Sequence, residues 1–326
     1  MNTDFVFTQY ENETIVGLAN NIFVSPSDQP DMYCKQAKEL STLLPKRIKT
    51  ILRNFVYSGS PNGFLLFKGF RDADLILPAT PPGNMHKVGE KTTLSRIQAI
   101  LVSFIGEMIA YQAEGYGRLF QDVVPVQSMA NNQTSIGSNV ELEIHTEQAF
   151  SNLRPDFLSL GCLRGDKDAF TYILPVQTIL DNLSYEEIEL LKQPLWRTGV
   201  DLSFKLDGHE FIDGDVRGPM PILSRDWFNL PILIFDQDLM QGVDDKSNRM
   251  IKKIVDIYYS YRIQHNLKPG EIIIIDNRMA LHGRSPFFPN YDGYDRFLIR
   301  CFSTTKYNDS GHARPGGGRT ISAIYS

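Results

Sequence analysis

The chain has 326 residues, 42% hydrophobic and 22% charged, with a formal net charge of −5. That composition excludes disordered, collagen-like and low-complexity proteins, and the length is enough to bury a core without staples. Mild acidity, with no run of Lys and Arg beyond a pair, argues against a nucleic-acid-binding surface. Cys34, Cys162 and Cys301 are odd in number and far apart, at none of the spacings of a metal or redox pair. A reduced, cytoplasmic protein is therefore expected. The start lacks a basic and apolar leader, and the strongest apolar run, 272–275, is far too short for a membrane span.

The first third reads mainly as helix. Residues 31–55 carry periodic apolar positions, interrupted at Pro45, where a break is expected because proline lacks the helical N–H. A Pro/Gly/Asn-rich loop follows at 78–89. Ser95 then precedes Ile97, Ile100, Leu101, Phe104 and Met108, the 3.6-residue stripe of a helix packed on something flat. From about Pro125 the texture changes to short strands at 140–147, 157–163, 170–174, 232–240, 271–276 and 296–305. Two helices interrupt them. One starts at Ser184 with Glu187 in a capping-box pattern, the other follows Ser247. Helices first and many short strands after suggest a sandwich or jelly roll buttressed by helices. No linker is evident, so one domain over 1–326 is expected, with a helical part over about 1–120 and a β core over about 121–326.

Two of the six histidines stand out. His86, His209, His265 and His312 lie in polar or Gly/Pro-rich surroundings and read as surface or structural residues. His145 lies in Val140-Glu-Leu-Glu-Ile-His-Thr-Glu147, where strand alternation puts Glu141, Glu143, His145 and Glu147 on one face. His145 and Glu147, with a second distant histidine, would make a 2-His-1-carboxylate metal site. An exposed polar edge face is the alternative, and Glu141 and Glu143 suit it better. Downstream, Glu271-Ile-Ile-Ile-Ile-Asp276 reads as a strand buried on both faces. After the turn at 277–279 comes His282. Arg296, Leu298, Arg300 and Phe302 then share a strand face, with the arginines roughly 13 Å apart. Two arginines on a buried face call for two carboxylates from elsewhere; a solvent-facing edge strand is the alternative. Asp236 and Asp238, on one face of strand 231–240, form either a cation site or a strand-end turn.

Together these pieces resemble the clavaminate synthase-like branch of the Fe(II)/2-oxoglutarate-dependent dioxygenases, specifically the hydroxylases of free L-arginine, L-asparagine and L-lysine. The resemblance runs from about residue 95 onward. Its most specific parts are Leu142-Glu-Ile-His-Thr-Glu147, Arg154-Pro-Asp-Phe-Leu-Ser-Leu-Gly-Cys-Leu-Arg164 and residues 276–300. It implies a mainly β fold with flanking helices around a double-stranded β-helix, a distorted, cupin-like jelly roll. It also implies Fe(II) on His145, Glu147 and His282, with 2-oxoglutarate and O2 as co-substrates. Arg296, helped by Thr171, would bind the 2-oxoglutarate carboxylate remote from the metal. Arg300 would take the substrate carboxylate, Glu114 its ammonium, and Asp236 and Asp238 its side chain, with Ser135 a further contact.

The expected reaction is hydroxylation of C3 or C4 of a free basic amino acid, lysine or arginine, with succinate and CO2 as co-products. Asparagine or glutamine is the runner-up if Asp238 points away. A jelly-roll binding protein without redox activity, or a zinc hydrolase on the same three ligands, leaves the paired arginines or the ligand set without a purpose. The Gly/Asp/Pro-rich segment 205–221 reads equally as a lid or a surface loop. No nucleic acid or membrane partner is expected.

Overall fold

The computed structural model describes residues 4–70, 76–200, 216–226 and 229–322. Helix α1 (Gln9–Ala19) opens with a reciprocal capping box between Thr8 and Glu11. The helical stretch around 31–55 is two helices, α2 (Pro30–Ser41) and α3 (Lys46–Ser58), separated at Pro45. Helix α4 (Thr93–Ile105) begins under Thr92, whose hydroxyl accepts the Ser95 N–H. Met108 does not continue that helix. Gly106 ends it, and Met108 lies in the next strand, β3.

The first third also supplies three strands that its helical texture hides: β1 (Asp4–Val6), β2 (Phe64–Lys68) and β3 (Glu107–Tyr111). They are followed by β4 (Gln121–Val123), β5 (Leu142–His145), β6 (Phe157–Arg164) and β7 (Thr171–Pro175). Helices α5 (Val176–Asp181) and α6 (Tyr185–Leu191), the latter with the expected Ser184–Glu187 box, come next. Strands β8 (Trp196–Gly199), β9 (Val216–Met220), β10 (Leu223–Arg225), β11 (Pro231–Leu233) and β12 (Met240–Gly242) lead to α7 (Asp245–Tyr261). That helix is capped by Asp244, and Ser247, expected just ahead of it, is its capping-box partner inside the first turn. Strands β13 (Ile263–His265), β14 (Ile272–Asp276), β15 (Ala280–Arg284), β16 (Phe297–Thr304) and β17 (Thr320–Ile321) complete the chain.

The fold is mainly β with several helices. The large sheet runs β1-β2-β14-β6-β16-β3-β17, with β4 also paired to β16; the second sheet runs β13-β7-β15-β5. Strand alternation divides the core. Leu65, Phe67, Ile272, Ile274, Ile299 and Cys301 face a helical layer containing Ile48, Leu52, Phe55 and Ile97. Leu66, Ile273, Ile275, Leu158 and Leu298 face the other way and meet Ile173 and Ala280 of the second sheet. The outer face of that sheet, through Ile144, Leu174 and Leu281, packs on Ile254 and Tyr258 of α7. Strand β14 is apolar on both sides because both sides are covered. Its four isoleucines are fully buried, each worth about 1.5–3 kcal/mol. The site lies between the two sheets. The three cysteines are buried and unpaired, and no described helix is long and apolar enough to cross a membrane.

Candidate metal centre and ligand pocket

Alternation along β5 sends Ile144 into the outer core and turns His145 inward. The antiparallel register of β5 and β15 sets His145 directly opposite His282, with ring centroids 4.5 Å apart. Glu147 lies just past the end of β5, and its Oε2 is 3.4 Å from His282 Nε2. One donor atom from each of His145, Glu147 and His282 falls within 4.8 Å of the others. The Nδ1 of His145 is 2.8 Å from the Glu143 carbonyl oxygen, which as acceptor would leave Nε2 as the free lone pair.

Burial pushes the Glu147 carboxyl up, but Arg300, then His282 and His145, outweigh it and hold it at about 2. Burial, with His145 beside it, lowers His282 to about 4. The site therefore offers a neutral His282 imidazole and an ionised Glu147 carboxylate, and Nδ1 of His282 is buried without a hydrogen-bond partner among the described residues. That donor set fits a facially bound Fe(II).

Arg296 and Arg300 share one face, as alternation requires, but differ in their partners. Arg296 is 6% exposed, stacks over Phe287 at 5.6 Å, and pairs with no carboxylate among the described residues. Burial lowers its pKa to about 10. Arg300 already meets protein acids: its guanidinium bonds Glu114, Gln121, and Glu147 Oε1 at 3.2 Å. Glu114 is also held by Gln148, whose Nε2 donates at 2.9 Å.

One expectation needs correction. Asp236 and Asp238 do not lie on one face of a regular strand. Strand β11 stops at Leu233, and Asp236 makes an isolated bridge to His145. Its Oδ1 accepts the Leu239 N–H at 2.8 Å, closing a turn that places Asp236 inside and Asp238 at the surface. Both nevertheless line the cavity. Indeed Glu114, Ser135, His145, Glu147, Thr171, Asp236, Asp238, His282, Arg296 and Arg300 all line one cavity of about 900 Å³, mouth included. Of segment 205–221, residues 205–215 lie outside the described residues, and 216–220 form β9, paired with β8. His265, read as a surface or structural residue, pairs with Glu271 at 2.9 Å.

Several contributors escaped sequence reasoning. Asn277 fixes the Glu147 backbone, Gln121 accepts from the Arg300 guanidinium, Gln148 holds Glu114, and Arg284 ties down the segment carrying Ser135. Each acts across a long sequence separation. Only Glu143 carried a local signal, its position on the His145 face.

The profile of the taurine catabolism dioxygenase TauD, TfdA family matches residues 60–302. The chain is 44% identical to the L-lysine 3-hydroxylase of Catenulispora acidiphila, over 98% of this chain and 89% of that one. An asparagine oxygenase solved with Fe(II), 2S,3S-3-hydroxyasparagine and succinate superposes with a TM-score of 0.88. It is 28% identical and is matched over 98% of this chain and 99% of its own. A non-heme iron oxygenase with Fe and alpha-ketoglutaric acid gives 0.84, at 25% identity over 98% and 99%. The site and these likenesses define an iron- and 2-oxoglutarate-dependent dioxygenase. The chain belongs to the TauD/TfdA dioxygenase family.

Proposed function

We propose that this enzyme hydroxylates C3 or C4 of a free basic L-amino acid, lysine or arginine, forming succinate and CO2 from 2-oxoglutarate. The observation that carries the reading is one cavity joining a His-Glu-His cluster, a buried arginine with no carboxylate partner among the described residues, and a group of acids. Its 44% identity to an L-lysine 3-hydroxylase makes lysine, at C3, the first substrate to test. The two facing sheets support a double-stranded β-helix core, and their shared core with strands from both ends of the chain supports a single domain. The buried, unpaired cysteines agree with a reducing, cytoplasmic setting.

His145, Glu147 and His282 would hold Fe(II), which with 2-oxoglutarate and O2 supplies the oxidising power to turn a C–H into a C–OH. The chain's residues bind and orient. Arg296, with the Thr171 hydroxyl, presents a planar fork to the remote carboxylate of 2-oxoglutarate. Arg300 receives the substrate carboxylate, Glu114 its ammonium, and Asp236 and Asp238 its basic side chain, with Ser135 alongside. Leu158, Leu160 and Leu298 form an apolar wall that limits water around the reacting carbon. The test is incubation with Fe(II), ascorbate, 2-oxoglutarate and a panel of free L-amino acids. Succinate and a +16 Da product with lysine or arginine are expected. Turnover of asparagine or glutamine alone would move the substrate to the amide class, and no amino-acid-dependent succinate would overturn the reading.

A further inference from the structure

We infer that Glu143 is a specificity-determining residue, which together with Asp238 receives the side-chain cation of a basic substrate. The inference deepens the proposed function and rests on it. Glu143 lies two residues before His145 on β5 and, by alternation, on its inward face; it is half-buried and lines the same cavity as Asp236 and Asp238. Its backbone is pinned at both ends. The N–H donates to Gln133 Oε1 at 3.1 Å, and the carbonyl oxygen lies 2.8 Å from His145 Nδ1. The Glu143 backbone is therefore fixed beside the candidate metal ligand.

The neighbouring acids are differently employed. Glu141, two residues earlier, is paired with Arg262 at 3.0 Å and with the Tyr258 hydroxyl at 3.1 Å. Asp236 gives one oxygen to the turn that ends at Leu239. The Glu143 carboxylate has no hydrogen bond or ion pair with any described residue. Glu143 and Asp238 line the same cavity. Among the described residues, no cation of the cavity pairs with Glu143. Arg284 is committed to the carbonyl oxygens of Gly137 and Val140, and Arg300 to Glu114 and Glu147.

The same cavity independently calls for a ligand, because Arg296, 94% buried by its 6% exposure and without a carboxylate partner among the described residues, lines it from the opposite sheet. The cavity thus has a cationic wall on β16 and an acidic wall on β5 and the 236–239 turn. With 2-oxoglutarate on Arg296, that polarity leaves the acidic wall for the side-chain cation of the amino acid beside it. It adds Glu143 to the acids that face the substrate's side chain.

The test compares L-lysine with L-norleucine, which lacks only the side-chain ammonium, binding anaerobically to the Fe(II)/2-oxoglutarate-loaded protein by calorimetry. Glu143→Gln is expected to weaken lysine roughly 10- to 100-fold, the range for a hydrogen-bonded charge, and to leave norleucine within about twofold. A lysine/norleucine ratio within about twofold of wild type would overturn the inference. If Glu143→Gln does not fold, judged by its melting transition, Glu143→Met is read against the same ratio. Wild-type protein that hydroxylates neither lysine nor arginine removes the proposed function and this inference together. Wild-type lysine hydroxylation with an unchanged ratio in the variant removes the inference alone.

Discussion

The side-chain amide of Asn277 grips the backbone of Glu147 from both sides, accepting its N–H at 2.8 Å and donating to its carbonyl oxygen at 3.1 Å. The same nitrogen donates to the Pro155 carbonyl at 2.8 Å. Glu147 sits past the end of β5, where no sheet ladder fixes it, so Asn277 supplies the missing pairing. Asn277→Ala would orphan three buried backbone groups and let the carboxylate drift. Metal affinity should fall about 10- to 100-fold, as for other residues that orient a ligand from behind. Anaerobic Co(II) titration, followed by visible absorption, measures it; unchanged affinity would show that the backbone holds without the clamp.

Arg296 leads to a second prediction. A buried guanidinium without an anion is a cost to the ligand-free protein, and it is recovered only when a carboxylate arrives. Arg296→Met should therefore leave the melting temperature of the ligand-free protein unchanged or higher. In metal-loaded wild type, 2-oxoglutarate at a hundred times its Kd adds about 2.7 kcal/mol of stability. The variant should show no such shift. A variant that still gains stability with 2-oxoglutarate would remove Arg296 from the co-substrate site.

These residues mark where the sequence was readable and where it was not. His145 and Glu147 could be placed together because a strand repeats every two residues, and Arg296 and Arg300 for the same reason. The alternation assumed for Asp236 and Asp238 failed because an aspartate side chain can bond a backbone N–H and close a turn in place of the strand. Asn277 and Gln121 were illegible, since their partners lie 130 and 179 residues away. Strands β1, β2 and β3 were hidden for a related reason: they are only three to five residues long, and their sheet partners are distant. Helix α1, by contrast, carries a local signal in its Thr8–Glu11 capping box.

Arg284 yields a third prediction. Its guanidinium donates to the carbonyl oxygens of Gly137 at 2.6 Å and Val140 at 3.1 Å, tying β15 to the segment that carries Thr134 and Ser135 into the cavity. Burial, then the nearby charge of Arg296, lowers its pKa to about 9. Arg284→Leu relieves that repulsion but strands buried carbonyls, each worth about 1–3 kcal/mol. Net destabilisation in a urea melt is expected, together with a higher substrate KM as the Ser135 segment loosens. Equal stability and equal KM would show that the segment needs no tie.

The fourth prediction concerns pH and lies far from the cavity. Arg47 bonds both oxygens of Glu11 and the Val6 carbonyl, joining α3, α1 and β1. The Arg47 hydrogen bond holds the Glu11 carboxyl at about 2, below its usual 4.5, although burial works the other way. A carboxyl lowered on folding stabilises above its unfolded pKa, and the contribution fades as pH falls from about 4.5 to about 2. Arg47 is half exposed, so the pair is worth only about 0.5–1 kcal/mol at neutral pH. Glu11→Gln retains a capping-box side chain but cannot ionise. Denaturant midpoints of wild type and variant should therefore differ at pH 7 and converge at about pH 2; a gap independent of pH would assign the effect to packing instead of charge.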